Sequence, residues 1–283
     1  MAKLTKAEAK LHAQAVELLK KDVLSEDDRR FVLENWQESA NHVNSAAGAF
    51  FTPYDMAGDF ALDVGPGRVI DLCAGIGTLS RAILDADRYG RRNEIVCIEI
   101  NPSYIEVGRK IVPEATWIQA DVFDVLGMDL GRFDCAVSNP PFGRVRRQDG
   151  KRAPRYTGAD FEFHVIDIAA HLARYGVFIL PQMSAGFKYS GQPFYDRHKD
   201  GKAVEFQKLT GLHFEAGVGV DTTIFRDQWH GVAPICEIVS IEFTAPQFDE
   251  REVQEEPAPG PSEQAKQFDA AADGQLDMFG RAA

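Results

Sequence analysis

An α/β chain with a doubly wound, mostly parallel sheet is predicted by two observations. Short runs of strand type, "RVIDLC", "EIVCIEI", "TWIQAD", "FDCAVS" and "YGVFILPQ", alternate with helical patterns, "GTLSRAILDAD", "PSYIEVGRKI" and "DFEFHVIDIAAHLAR"; this is the order of repeated βαβ units. The length of 283 residues and the 45% hydrophobic content suit one large packed domain with appendages. A last strand, "EIVSIEF", spans residues 237 to 243, and no internal repeat is present.

The elements before the sheet are helical. Leu4, Leu11, Ala15, Leu18 and Leu19 share one side at helical spacing. Ser25, with Asp28 three residues on, marks the start of a second helix. Residues 1–45 are therefore expected to form a helical segment. The main domain then runs from 46 to 244, opening with an apolar run broken at Pro53 and a helix from Tyr54 to about Asp63. Residues 184–232 read as a small insertion facing the substrate.

Net charge is −12, which at first argues against a polyanionic partner. Half of that excess lies between Phe248 and Ala283, where nine acids face three bases. Residues 245–283, rich in Pro, Gln and Ala, are expected to be a disordered acidic tail. The four cysteines, Cys73, Cys97, Cys135 and Cys236, form no CxxC pair and read as small thiols beside strands. His164, His171 and His198 show no ligand spacing, so no metal is expected. No apolar run of about 18 residues and no cleavable leader pattern is seen, which predicts a soluble, cytoplasmic protein with no membrane partner.

Three strand ends carry the chemistry. In "VIDLCAGIGTLS", Asp71 closes a strand, Ala74, Gly75 and Gly77 make the turn, and a helix starts near Thr78. Glycines there allow close backbone approach, and the helix start offers free N–H groups. The third glycine of a pyrophosphate turn is missing and an acid precedes the first, which favours a ligand bearing a cation or amine. Glu99, 28 residues after Asp71, ends the second strand, where an acid accepts from ribose hydroxyls. Asp121 ends the third and is placed to receive an exocyclic amino group, with Val122 or Ile100 flanking an adenine ring. The fourth strand runs into "SNPPFG", residues 138–143: two prolines force a stiff exit, with Asn139 at the strand end and Phe142 beyond it.

In this order and spacing, Asp71-x-x-x-Gly75-x-Gly77, Glu99, Asp121 and Asn139-Pro140-Pro141-Phe142 resemble class I S-adenosylmethionine-dependent amino-methyltransferases. "AFFTP", Ala49 to Pro53, resembles the motif that opens the catalytic domain of those DNA adenine-N6 enzymes in which the cofactor motifs come first, a gamma-like order. The resemblance covers residues 46 to 243. It implies a Rossmann-like seven-stranded sheet, S-adenosylmethionine as cofactor, and DNA as substrate, with bacterial or phage origin. Phe51, Thr52 and Pro53 would close over the methionine end, the 71–77 turn would hold the cofactor, Glu99 its ribose and Asp121 its adenine. Asn139 and the Pro140 carbonyl would bind the target amino group while Phe142 stacks on the base.

After the NPPF motif, Arg144, Arg146, Arg147, Lys151, Arg152 and Arg155 surround a single acid, Asp149, and are placed to grip phosphates. Near the C-terminus Gln275-Leu276-Asp277-Met278-Phe279 is similar to the peptide by which bacterial replication proteins dock on the DNA sliding clamp; Gln275, Leu276, Met278 and Phe279 would make that contact. Rival readings are an rRNA adenine or guanine amino-methyltransferase, a protein-glutamine methylase, and a catalytically silent module bound to the clamp. No sizeable recognition domain follows the catalytic one, which leaves the target sequence open.

Overall fold

A computed structural model describes residues 4–37, 50–86, 93–145, 150–230 and 234–243. Among the described residues six strands form the central sheet: β1 (Gly67–Leu72), β2 (Asn93–Glu99), β3 (Thr116–Gln119), β4 (Phe133–Ser138), β5 (Ala173–Pro181) and, beyond a small hairpin of β6 (Phe187–Lys188) with β7 (Asp196–Arg197), β8 (Cys236–Glu242). Their order is β3-β2-β1-β4-β5-β8, with β8 alone antiparallel to its neighbour. The order reverses direction between β1 and β4. At such a switch point the loops part and leave a crevice at the carboxyl ends of the strands.

The expected seventh strand is not formed among the described residues, and the sequence explains why. Its position beside β8 is held by one antiparallel bridge, Glu215 to Ser240. Gly217 and Gly219 follow at φ +56° and +75°, left-handed conformations that end an extended run. The predicted class is correct, and the sheet is one strand narrower than expected among the described residues.

Alternation along each strand builds two cores. Val69, Cys97, Val137 and Val177 face α3 (Tyr54–Phe60), α4 (Thr78–Ala86) and α5 (Pro102–Ile111), whereas Ile70, Leu72, Ile98, Ala136 and Phe178 face α6 (Phe161–Leu172) and α7 (Lys202–Thr210). Both faces are covered, as a parallel sheet requires. Cys97, Cys135 and Cys236 are buried free thiols on strands. Among the described residues no helix is long and apolar enough to cross a membrane.

The N-terminal helices α1 (Lys6–Leu18) and α2 (Glu26–Asn35) start with capping boxes, Thr5 with Glu8 and the expected Ser25 with Asp28. Arg29 reaches Glu114 at 3.2 Å and Arg30 reaches Asp55 at 3.3 Å, tying α2 to the main domain. Trp36, at the end of α2, packs 5.6 Å from the Phe51 ring, and Phe51 meets Tyr104 of α5 edge-on at 5.1 Å. The helical segment thus supports the strap at 50–53. Its sequence alone offers no reason for this, because the contact joins residues far apart in the chain.

Candidate cofactor and substrate site

The turn after β1 is strained in the way a close ligand approach demands. Cys73, a non-glycine residue, sits at φ 61°, and Gly75 and Gly77 follow at 57° and 85°. A Cβ on Gly75 would lie 3.1 Å from the Phe51 ring, and one on Gly77 only 2.9 Å from Val112. Glycine is thus needed twice: for conformation and for space.

Asp71 lies at the head of this turn, 1% exposed. Its Oδ2 accepts from Ser80 Oγ of α4 at 2.6 Å, while Oδ1 is buried with no partner. Burial pushes its carboxyl up to about 7, helped by the nearby Glu99 charge and opposed by the Ser80 hydroxyl. Such a group gains from a cation.

Glu99 is buried too, and burial raises its carboxyl while three backbone amides hold it down. Its Oε2 accepts from Gly75 N at 2.8 Å; Oε1 accepts from Ile100 N at 2.9 Å and Asn101 N at 2.8 Å. The acid therefore shapes the glycine turn, and one acceptor site on Oε2 is still free for a hydroxyl. Ile100 beside it is 58% exposed, as a residue offering an apolar face to a ring would be.

Asp121 has more partners than its motif implied. Oδ1 accepts from Phe123 N at 3.1 Å, and Oδ2 pairs with Lys151 Nζ at 3.0 Å; Lys151 also reaches Asp124 at 2.7 Å. Val122 is buried below. Arg155 likewise turns inward: Nε meets the fully buried Asp167 at 2.7 Å and Nη1 donates to Thr210 O at 2.9 Å. Two cations expected to face phosphate thus have carboxylate partners that composition could not assign. Arg144 and Arg152 are exposed; Arg146 and Arg147 lie outside the described residues, as do Ala49 and the clamp-like Gln275, Leu276, Met278 and Phe279.

At the end of β4 the NPPF segment is held on both sides. Ser138 Oγ donates to Leu72 O across the switch point. Asn139 Nδ2 donates to Phe50 O and to Thr52 Oγ1, both at 2.9 Å. A carbonyl can only accept, so this pair fixes which end of the amide faces the strap. Asn139 Oδ1 is left buried and unpartnered. Pro140 is buried, Pro141 half-buried, and Phe142 rests against the apolar core. Pro53 caps α3.

The strap lies against the glycine turn through Phe51 and holds the Asn139 amide through Thr52, so the β1 turn and the open Asn139 acceptor are linked by one segment. Residues 58–155 match the methyltransferase small domain family. The sheet has the Rossmann-like methyltransferase fold. No curated protein matches the sequence. Among solved structures, the methyltransferase subunit of a type I restriction-modification system from Streptococcus thermophilus shares 14% identity and a TM-score of 0.51; the alignment covers 80% of this chain and 51% of that one. A Pyrococcus horikoshii protein provisionally described as an RNA methyltransferase gives 15% identity and a TM-score of 0.48, covering 78% of this chain and 100% of its own.

The residues fit S-adenosylmethionine: Asp71 Oδ1 is a buried acceptor without a partner at the turn, Glu99 Oε2 keeps an acceptor site, and Ile100 offers an exposed apolar face. What the sequence did not reveal is the Ser80 support of Asp71, the Phe50 and Thr52 acceptors for Asn139, and Glu162. This last residue is a buried acid in the apolar run "FEFHVIDI", and that oddity was the available signal.

Proposed function

We propose that the chain transfers a methyl group from S-adenosylmethionine to the exocyclic N6 amino group of adenine in DNA. The observation that carries this is Asn139 Oδ1, a buried acceptor without a partner at the carboxyl end of β4, on an amide fixed from its other side. An adenine amino group is a weak nucleophile because its lone pair is delocalised into the ring. Accepting its two N–H groups at Asn139 Oδ1 and the Pro140 carbonyl favours pyramidal nitrogen and aims the lone pair, which is orientation combined with charge stabilisation. When bound, the cofactor supplies the electrophilic methyl on its sulfonium. The proton becomes acidic as the ammonium develops, so no strong base is needed before attack.

In this reading Phe51, Thr52 and Pro53 cover the methionine end, Asp71 and the turn Ala74 to Gly77 hold it, Glu99 takes the ribose, and Ile100, Asp121 and Val122 frame the adenine. Lys151 then has to share Asp121 with that ring. Phe142 leaves its apolar packing to stack on a base extruded from the duplex, a contact worth roughly 1–3 kcal/mol. Arg144 and Arg152, with Arg146 and Arg147, supply phosphate contacts.

The polymer is decided by incubating the protein with labelled S-adenosylmethionine and, in parallel, unmethylated DNA, RNA and protein. Label in DNA is expected. Label confined to RNA or protein overturns the choice of polymer, and cofactor binding with no label anywhere supports a silent binding module instead. The tail adds a bacterial sliding clamp as partner: purified clamp should retain the full chain and release a Leu276→Ala, Phe279→Ala double variant. Equal retention of both removes the clamp from the account.

A further inference from the structure

The proline pair stiffens the start of the NPPF loop but leaves its far end, Phe142–Gly143, to be held by something else. Gly143 has φ 74° and its N–H donates to Glu162 Oε2 at 2.8 Å, while its carbonyl accepts from Phe161 N at 2.8 Å. Glu162 is 2% exposed, in the first turn of α6. Its other oxygen, Oε1, accepts from Ser184 Oγ at 2.8 Å. Ser184 closes the short 3-10 turn that leaves β5, next to Met183, whose side chain is 78% exposed. One buried carboxylate thus joins the loops that leave the carboxyl ends of two neighbouring strands.

Ordinary packing does not account for an acid here. An apolar residue would fill the same space on a helix that is otherwise almost wholly buried, at no desolvation cost. The carboxylate is matched instead to two donors, one on each loop.

We propose that Glu162 is a positioning residue for methyl transfer: through Gly143 it fixes the Phe142 end of the NPPF loop, and through Ser184 it holds that loop in register with the turn after β5. This rests on the reading of Asn139 and Phe142 as the substrate clamp. Between the strap bonds of Asn139 and the Glu162 bond of Gly143, the segment is held at both ends, so Phe142 swings about fixed points. Loss of the second pin leaves Asn139 oriented but the stacking ring unregistered. The cost falls on turnover, not on cofactor binding, because the hydrogen bonds of Asp71, Gly75 and Glu99 run to Ser80, Ile100, Asn101 and one another, and those of Glu162 to Gly143 and Ser184.

Glu162→Ala, Glu162→Gln and Ser184→Ala are compared with the intact chain in three measurements: kcat and KM for the labelled polymer, cofactor Kd, and amide hydrogen exchange of the peptide containing Gly143. Glutamine can accept from Gly143 N and donate to Ser184 Oγ, keeping both ties. Expected for Glu162→Ala is a kcat lower by about 10²-fold, an unchanged cofactor Kd and faster exchange at Gly143. Glu162→Gln is expected to restore kcat to within about threefold of the intact chain and slow exchange; Ser184→Ala, with one tie lost, to lower kcat by about threefold. The proposal is overturned if Glu162→Ala turns over normally or if Glu162→Gln is as impaired as Glu162→Ala. Should Glu162→Ala not fold, Glu162→Gln and Ser184→Ala decide: a slow Glu162→Gln, or Ser184→Ala matching the intact chain in kcat, overturns it. An intact chain that methylates no polymer defeats the proposed function instead, and Gly143 exchange then still reports whether Glu162 pins the loop.

Discussion

Asn139→Ala is expected to lower methyl transfer by about 10²- to 10³-fold, or roughly 3–4 kcal/mol of transition-state stabilisation, the scale seen when one preorganised polar group is removed from a reacting centre. Cofactor affinity should stay within about twofold, since Asn139 touches the strap at Phe50 and Thr52 and not the β1 turn. Asn139→Asp sharpens the test. Its carboxylate keeps an acceptor toward the substrate but places a second oxygen against Phe50 O, so a donor is replaced by a repulsive contact. That variant should lose stability as well as activity, whereas Asn139→Ala should lose mainly activity. Single-turnover rates, equilibrium dialysis with cofactor and denaturant unfolding separate the two. A much weakened cofactor Kd in Asn139→Ala would mean that the division between the two half-sites is wrong.

The second large effect is in the pH dependence of Asp71. Its ordinary value of 3.8 rises to about 7 in the folded chain because burial disfavours the charged form. Between these two values the folded state holds a proton that the unfolded state has lost, so stability falls as pH rises from about 4 to about 7 and levels off above. A shift of about three units corresponds to roughly 4 kcal/mol across that window. Asp71→Asn removes the titration. Compared with the intact chain it should be progressively more stable from pH 4 to pH 8, by up to that amount, in guanidinium unfolding series at each pH. Cofactor binding should run the opposite way: a cationic ligand prefers ionised Asp71, so affinity for the intact chain should tighten through pH 7, while Asp71→Asn should bind weakly and without that inflection. Parallel pH profiles for the two chains in both experiments would remove Asp71 from the cofactor site.

The fold was legible because its signals are local. Runs such as "RVIDLC" and "EIVCIEI" are strands by composition and length, and Ser25 with Asp28 marks a helix start that the capping box confirms. The sheet was read one strand too wide because the resemblance carried a strand that Gly217 and Gly219 break here. Hairpin β6–β7 and helix α7 were missed within a stretch read only as an insertion; two-residue strands leave no periodic trace. Motif order put Asp71, Glu99 and Asn139 at the carboxyl ends of the neighbouring strands β1, β2 and β4, as the structure has them. It could not show that Lys151 is bound to Asp121 and Asp124, nor that Arg155 is bound to Asp167, because partners 12 to 30 residues apart are chosen by folding and not by spacing. Glu162 was invisible as a role for the same reason.

The central claim is that the open acceptor on Asn139 receives an adenine amino group. DNA labelled by the protein from S-adenosylmethionine is digested to nucleosides and the labelled product identified by chromatography and mass. The account predicts N6-methyladenine as the labelled nucleoside, absent from the Asn139→Ala reaction. Label on cytosine, on a ring nitrogen of adenine, or persisting at N6 with Asn139→Ala would contradict it.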